Sequence, residues 1–537
     1  MPLRPEFDDV DPLTANLVRR VCIGDLTTRA ATHFRDRIAV VDGDRELSYR
    51  ELEDRSNAVA RGLSGAGLGR GDVVAMLMPN SWEFLAAFFG CAKIGVICMP
   101  MNLGLGAEDV AYQFDDAGPS AVIVEEPYLG LLEAAFGETN AGSVRRAMVA
   151  RAGQLDDALA GVPLRRFEEL LDGDPSPFEV VVEDRDVVHC LYTSGTTSRP
   201  KAVLTSHVAV MLAALSTCVQ IRHERGDNGS VFPIVLPLFH VTALDVLSLP
   251  VLLSGGTVVL HRGFDADALL RDLATRRVTH LMLLPMMWGQ LVERAGRDAP
   301  GAENVRTAIY AMAPMTKARL DEVHATFPNA DVILGSGQTE FTPPTVMQWP
   351  SHQWSKDASW GAPTITCQVQ IMDPEGNLLP AGQEGEIVYR GPQSMQGYGN
   401  NAKANSAAFA HGWFHSGDVG YLDEEGVLWF TDRVKDMVKT GGENVSSVEV
   451  ERVLLGHPRV ADCAVIGLPD DRWGEAVTAV VVAVVAAEID GEELRLYAKQ
   501  HLAGYKVPKR VVSVPELPKT STGKIQKHEL RSRLTES

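Results

Sequence analysis

The sequence is short of the devices that staple small secreted scaffolds and of those that cross bilayers. Only seven of its 537 residues are cysteine: Cys22, Cys91, Cys98, Cys190, Cys218, Cys367 and Cys463. They are scattered, odd in number and never spaced C-x-x-C, which argues against a disulfide framework or zinc site and points to a reducing compartment. The longest apolar stretches are interrupted, one by Asp245, Pro250 and Gly255-Gly256 and another by Lys93 and Gly95, so neither reaches the length of a spanning helix. From Met1 through Arg4 and Glu6 to Asp8-Asp9 no apolar run follows a basic patch, so no signal peptide is expected and the expected address is the cytoplasm. Positive charge is in deficit, 50 Lys and Arg against 70 Asp and Glu, a formal net charge of −20. Such a field repels phosphate backbones and anionic membranes, so nucleic acid is not an expected partner. Neither G-x-x-x-x-G-K-S/T nor G-x-G-x-x-G occurs, which removes the two commonest phosphate-binding glycine signatures.

What is present is the composition of an ordinary globular protein, 45% hydrophobic and 22% charged. At about 150 residues per domain the length predicts roughly three to four units. Ser48 and Glu51 form a capping box ahead of Leu52, Val59 and Leu63 at helical spacing, predicting a helix that ends near Gly65. Val73 to Met78 is a continuous apolar run suited to a buried parallel strand, and Glu83 to Ile94 reads as a helix. The alternation recurs with strands at 120–124, 256–260 and 278–284 and a helix over 266–276. This predicts an α/β fold with parallel-rich sheets. Past about residue 435 the pattern becomes compact, with a helix over 447–456, a strand over 463–467 and a Val/Ala-rich strand over 477–487, as in a small α+β domain.

The densest polar signal is Tyr192-Thr193-Ser194-Gly195-Thr196-Thr197-Ser198-Arg199-Pro200-Lys201, directly after the apolar strand 187–191. Hydroxyls, backbone amides, a glycine and a lysine together can wrap phosphates without a basic surface. By composition alone a polar surface turn is the commoner outcome.

This string resembles the phosphate loop of the AMP-forming adenylate-forming enzymes: acyl-CoA synthetases, peptide-synthetase adenylation domains and luciferases. The resemblance continues in order through Pro237-Leu238-Phe239-His240, Gly337-Gln338-Thr339-Glu340, Ser416-Gly417-Asp418, Asp432-Arg433-Val434-Lys435-Asp436, Gly441-Gly442-Glu443-Asn444 and Pro518-Lys519-Thr520-Ser521-Thr522-Gly523-Lys524. It implies a large amino-terminal domain, residues 1–434, holding the ATP and acyl sites, and a small mobile α+β domain, residues 435–537, with its hinge at Lys435. It implies nucleotide contacts from Thr193, Ser194, Gly195, Thr196, Thr197, Lys201, Ser336, Gly337, Gln338, Thr339, Asp418 and Arg433. Glu340 matches the carboxylate that holds Mg²⁺, Thr339 the hydroxyl on the α-phosphate, and Lys524 the lysine bridging the substrate carboxylate and α-phosphate. Asp418 and Arg433 match the ribose contacts. Gly441, Gly442 and Glu443 resemble the coenzyme A passage of the acyl-CoA synthetases in particular, and His240 the histidine near the acyl and thiol entrance, with a packed histidine as the alternative.

The acyl pocket is expected along His240 and Val241 and along Ala311, Met312 and Ala313, largely apolar positions whose volume suits a medium-length acid. His240 stands where peptide synthetases place the aspartate that holds an ammonium group, which disfavours an α-amino acid. Ser198 and Ala202 stand where the family has glycines, and Ser336 replaces an aromatic that stacks on adenine, a role for which Tyr310 is the neighbouring candidate. The resemblance therefore implies an AMP-forming acyl-CoA ligase using a small-molecule carboxylic acid, ATP, Mg²⁺ and coenzyme A; a homodimer is compatible with it. The rival readings are an acyl-AMP ligase loading a carrier protein, a luciferase-like monooxygenase and a non-catalytic nucleotide or fatty-acid binding protein.

Overall fold

The computed structural model describes residues 9–139, 142–193, 199–226, 228–296, 299–311, 315–470, 472–484, 489–519 and 524–535. The chain divides into two compact units, Met1–Gln368 with Arg390–Phe409, and Val369–Tyr389 with Ala410–Ser537.

In the first unit the expected capping box is formed: the Ser48 hydroxyl accepts from the Glu51 amide at 3.2 Å and Glu51 accepts from the Ser48 amide at 2.8 Å, starting the helix Tyr49–Gly65. That helix packs on Trp82–Lys93, a helix buried on all sides, which explains why its sequence is apolar all round. The helix Tyr49–Gly65 also lies against the strands Ile38–Asp42 and Arg45–Ser48, while Trp82–Lys93 lies against Ile97–Pro100 of a nine-stranded sheet in which Val73–Leu77 pairs in parallel with Ile97–Pro100 and Ala121–Glu125. The expected strands at 256–260 and 278–284 are Thr257–Leu260 and His280–Leu283, and the helix Ala266–Arg276 has the expected bounds. At one side of the large sheet the order runs Ile97–Pro100, Val187–Thr193, Lys201–Ser206, Gly397–Tyr398. Val187–Thr193 and Lys201–Ser206 form an antiparallel hairpin that brackets residues 194–198 and sets Thr193 opposite Lys201. A second sheet, parallel through His280–Leu283, Thr307–Tyr310 and Asp331–Ser336, delivers the chain to Gly337 at its carboxyl end.

Two ionisable residues that interrupt apolar runs in the sequence find buried partners inside this unit. Asp245 lies on a π-helical segment, Thr242–Ser248, and its fully buried carboxylate meets the fully buried His189 ring at 2.8 Å. Lys93, 4% exposed, pairs with Glu53, 7% exposed, at 2.9 Å, and Glu53 also accepts from the hydroxyls of Thr27 and Thr28. These bonds tie the helix Asp25–Phe34 to the ends of the two central helices. All seven cysteines are free thiols and only Cys218 retains appreciable exposure; burial pushes the Cys91 and Cys190 thiols up to about 12. Among the described residues no helix is long and apolar enough to cross a membrane.

The second unit holds a four-stranded sheet, Gln368–Met372, Gly385–Arg390, Phe414–Leu422 and Leu428–Arg433, and a five-stranded sheet built on the long antiparallel pair Val460–Asp470 and Gly474–Ala483. The strand expected over 463–467 is thus longer at both ends, because its pairing with Gly474–Ala483 continues beyond the apolar stretch. Of the run expected over 477–487, residues 485–487 lie outside the described part. Helices Ser447–Leu455, Gly491–His501 and Lys527–Thr535 accompany this sheet.

The Lys93 pair gives a stability test. Replacing Lys93 by Met leaves the Glu53 carboxylate buried without its cation and should cost about 3–5 kcal/mol, read as a lowered urea midpoint. An unchanged midpoint would refute the assigned role of the pair.

Candidate functional site

In the first unit the site is built around one carboxylate. Strand Asp331–Ser336 ends at Gly337, where an added Cβ would lie 2.6 Å from the Pro343 side chain, so only glycine lets the chain turn there. The turn leads into the short 3₁₀ segment Thr339–Phe341, which presents Glu340. The Glu340 Oε1 accepts from the Thr193 hydroxyl at 3.3 Å and from the Tyr398 hydroxyl at 3.1 Å. The Glu340 carbonyl accepts from the Met395 amide at 3.0 Å, holding the turn against the chain that leads into Gly397–Tyr398. Lys201, in register with Thr193, places its ammonium 4.0 Å from the Tyr398 ring centroid, a cation–π contact. Burial first, and then the Glu340 carboxylate, hold the Tyr398 phenol well above its ordinary range, so it remains a donor. Tyr398 was invisible to motif reading: it lies some 60 residues beyond the Gly337 string, and pairing Val203 with Tyr398 across two strands is what brings it in.

Thr193, Lys201 and Glu340 are therefore brought together, while Ser194, Gly195, Thr196 and Thr197 lie outside the described residues. Gln338 and Thr339 flank Glu340 and are partly exposed. Ser336, also partly exposed, uses its carbonyl to take the Thr345 amide at 2.9 Å. Tyr310 does not present a ring for adenine: it is 1% exposed in the strand Thr307–Tyr310, packed in the core, with its hydroxyl 3.4 Å from the Asp357 carbonyl. The expected compensation for Ser336 is corrected accordingly, because a central strand turns this ring inward.

Of the acyl segment, His240 is partly exposed and its Nδ1 accepts from the Thr242 amide at 3.3 Å. Val241 is buried, Ala311 is half-buried beside the core, and Met312 and Ala313 lie outside the described residues. The segment from His240 is continuous with the π-helix that carries Asp245.

In the second unit Asp418 and Arg433 are register partners on neighbouring strands, with the guanidinium Nε 3.3 Å from the Asp418 Oδ1. The Asp418 amide donates to the Ser416 hydroxyl at 3.0 Å, which fixes the strand where the carboxylate emerges. Lys435 follows two residues later. Partial loss of solvent, then crowding by Arg433, Arg531 and Lys524, pushes its amine down to about 8 against the opposing pull of Asp436. Gly441 and Gly442 form a two-residue hairpin loop between Thr440 and Glu443, with φ of +61° and +85°. Two successive positive φ values are the requirement of a type I′ turn and explain the Gly-Gly pair locally. Glu443 and Lys524 are exposed.

Among the described residues no three His, Cys, Asp or Glu side chains gather as a metal-binding cluster. The Glu340 carboxylate is oriented by two neutral hydroxyls, an arrangement compatible with a cation that brings other ligands with it.

Comparison with known proteins follows the same division. The model of the AMP-binding enzyme family matches residues 27–399, and that of the AMP-binding enzyme C-terminal domain matches residues 449–524. A feruloyl-CoA synthase of Amycolatopsis sp is 36% identical over 520 residues, covering 96% of this chain and 100% of that protein. The long-chain-fatty-acid–CoA ligase FadD13 of Mycobacterium tuberculosis is 33% identical, covering 91% of this chain and 93% of its own length. The crystal structure of the anthranilate CoA ligase AuaEII in complex with anthranoyl-AMP superposes with a TM-score of 0.86 at 26% identity, covering 98% of this chain and 99% of that one. The chain belongs to the AMP-binding enzyme family, and within it to the AMP-forming acyl-CoA synthetases of the adenylate-forming superfamily.

Proposed function

We propose that this acid–thiol ligase activates an apolar carboxylic acid with Mg-ATP and transfers the acyl group to coenzyme A, using the residues described above. The observation that carries the reading is the meeting of Glu340 with the hydroxyls of Thr193 and Tyr398 beside Lys201, at the mouth of a Ser/Thr-rich loop. In the first half-reaction a substrate carboxylate oxygen bonds to the α-phosphorus of ATP and the bond to pyrophosphate breaks, giving acyl-AMP. Lys201 and the loop amides hold the polyphosphate, Thr339 donates to the α-phosphate, and Lys524 neutralises charge shared by the carboxylate and α-phosphate as it grows. A magnesium ion bound with the nucleotide would take Glu340 as its protein ligand and neutralise phosphate oxygens, a coordination that needs only one or two protein carboxylates. Asp418 accepts from the ribose hydroxyls, with Arg433 fixing its orientation. In the second half-reaction the thiolate of coenzyme A adds to the acyl carbon and AMP departs. Gly441 and Gly442 give the pantetheine arm a loop without side chains, and His240 stands at the entrance.

Lys435 is the hinge of this reading, with residues 435–537 as the moving domain that exchanges Lys524 for the Gly441-Gly442 loop. For the acid, the side-chain volumes along 240–241 and 311–313 favour a medium-length fatty acid. An aryl acid is the second reading, favoured by the feruloyl-CoA synthase and the anthranoyl-AMP complex among the relatives.

Mass spectrometry of products from enzyme, Mg-ATP and a panel of aliphatic and aryl acids, with and without coenzyme A, tests this directly. Acyl-CoA plus AMP is the expected outcome, and the preferred acid separates the two substrate readings. Acyl-AMP that accumulates and ignores coenzyme A would overturn the acceptor, in favour of a carrier protein. Tyr398→Phe keeps the ring under Lys201 and removes one hydrogen bond to a carboxylate, so pyrophosphate exchange should fall about tenfold or more with the fold intact. Exchange at the parental rate would remove Tyr398 from the site. Lys435→Pro should stop thioester formation while adenylation survives; equal loss of both steps would refute the hinge.

A further inference from the structure

Lys524 is the first described residue after 520–523, and the chain on both sides of that segment is tied down. Lys519 and Ile525 form an antiparallel β-bridge, and the Gln526 amide donates to the Pro518 carbonyl at 2.8 Å, so the backbone directly after Lys524 is held to Pro518 and Lys519. On each side of Lys524 in the sequence stands a lysine committed to a carboxylate of the small domain. Lys519 Nζ lies 2.6 Å from Asp462 Oδ2, on the strand Val460–Asp470. Lys527 Nζ lies 2.7 Å from Glu451 Oε1, on the helix Ser447–Leu455, and donates to the Ser447 hydroxyl at 2.6 Å. The side chains of Lys527 and Glu451 keep only 13% and 15% of their exposure. Glu451 Oε1 also accepts from the Val465 amide at 2.7 Å, so the acceptor is itself braced between helix and strand. One turn beyond Lys527, Arg531 donates to Asp436 Oδ1 at 2.8 Å, which holds the helix Lys527–Thr535 to the segment after Arg433.

Three lysines thus fall within nine residues, and two of them are bound to carboxylates on either side of the third. Their charges are matched locally, and the bridge at Ile525 together with the two ion pairs restricts the backbone next to Lys524. A group that must stabilise charge in a transition state needs that restriction, since a displacement of about 1 Å can cost about a hundredfold in rate. We propose that Lys519 and Lys527, through Asp462 and Glu451, are positioning residues that aim Lys524 during adenylation. The inference rests on the assignment of Lys524 made above.

The test uses the full-length enzyme with Lys527→Met, Glu451→Gln and Lys519→Gln, beside Lys527→Arg and Lys524→Ala. Pyrophosphate exchange reports adenylation, and thioester formation from supplied acyl-AMP and coenzyme A reports the second step. In Lys527→Met, adenylation should fall about tenfold or more through kcat, with KM for ATP and thioester formation within about twofold. Lys527→Arg should recover most of the loss, and hydrogen exchange at the Gln526 amide should quicken in Lys527→Met. Adenylation within about twofold of the parent, or equal loss of both half-reactions in folded protein, overturns the proposal. Should Lys527→Met fail to fold, Lys519→Gln, which breaks the more exposed pair, is judged by the same criteria. If Lys524→Ala itself leaves adenylation intact, the assignment of Lys524 has failed and the positioning role falls with it; intact loss in Lys524→Ala with none in the anchor variants overturns the anchors alone.

Discussion

Orienting a carboxylate without cancelling its charge is the constraint on which the candidate site of the first unit depends. Glu340 takes hydrogen bonds from two neutral hydroxyls, Thr193 and Tyr398, each on a different strand of the large sheet. Neutral donors fix the carboxylate while leaving its charge in place. Lys201 sits over the ring of Tyr398, whose hydroxyl donates to Glu340, so one aromatic side chain touches both the cation and the carboxylate.

The sheet exists to make those three strands neighbours. Thr193 and Lys201 meet because the hairpin register pairs them, and Tyr398 joins because Gly397–Tyr398 adds to the same edge. Behind them, His189 and Asp245 link the strand of Thr193 to the π-helix that continues from His240. A fully buried pair of this kind is poor ballast for stability and is best understood as a constraint on register and orientation.

The second unit solves a different problem, how to carry an exposed lysine at a defined place on a small body. Its long antiparallel pair and the helix Ser447–Leu455 carry Asp462 and Glu451, the carboxylates that bind Lys519 and Lys527 on either side of Lys524 in the sequence. Asp418 and Arg433 meet as cross-strand partners, a geometry that orients the carboxylate. The Gly441-Gly442 turn answers one local requirement, since a type I′ hairpin needs positive φ at both positions.

Much of this was legible before any coordinates. The capping box at Ser48 and Glu51, the helix Ala266–Arg276 and the parallel strands followed from local patterns, because caps and periodicity are set by residues within a few positions of one another. The string from Thr193 to Lys201 and the segments around Glu340, Asp418 and Lys524 were legible as a family resemblance, since each is a contiguous motif. Tertiary structure alone decided what contiguity cannot encode. It brought Tyr398 to Glu340, turned Tyr310 into the core, and gave the interrupting residues Lys93 and Asp245 buried partners. The physical reason is the same in each case: whether a polar or aromatic side chain serves a site or the interior depends on which distant strand its own strand pairs with, and that is fixed by the packing of the whole unit.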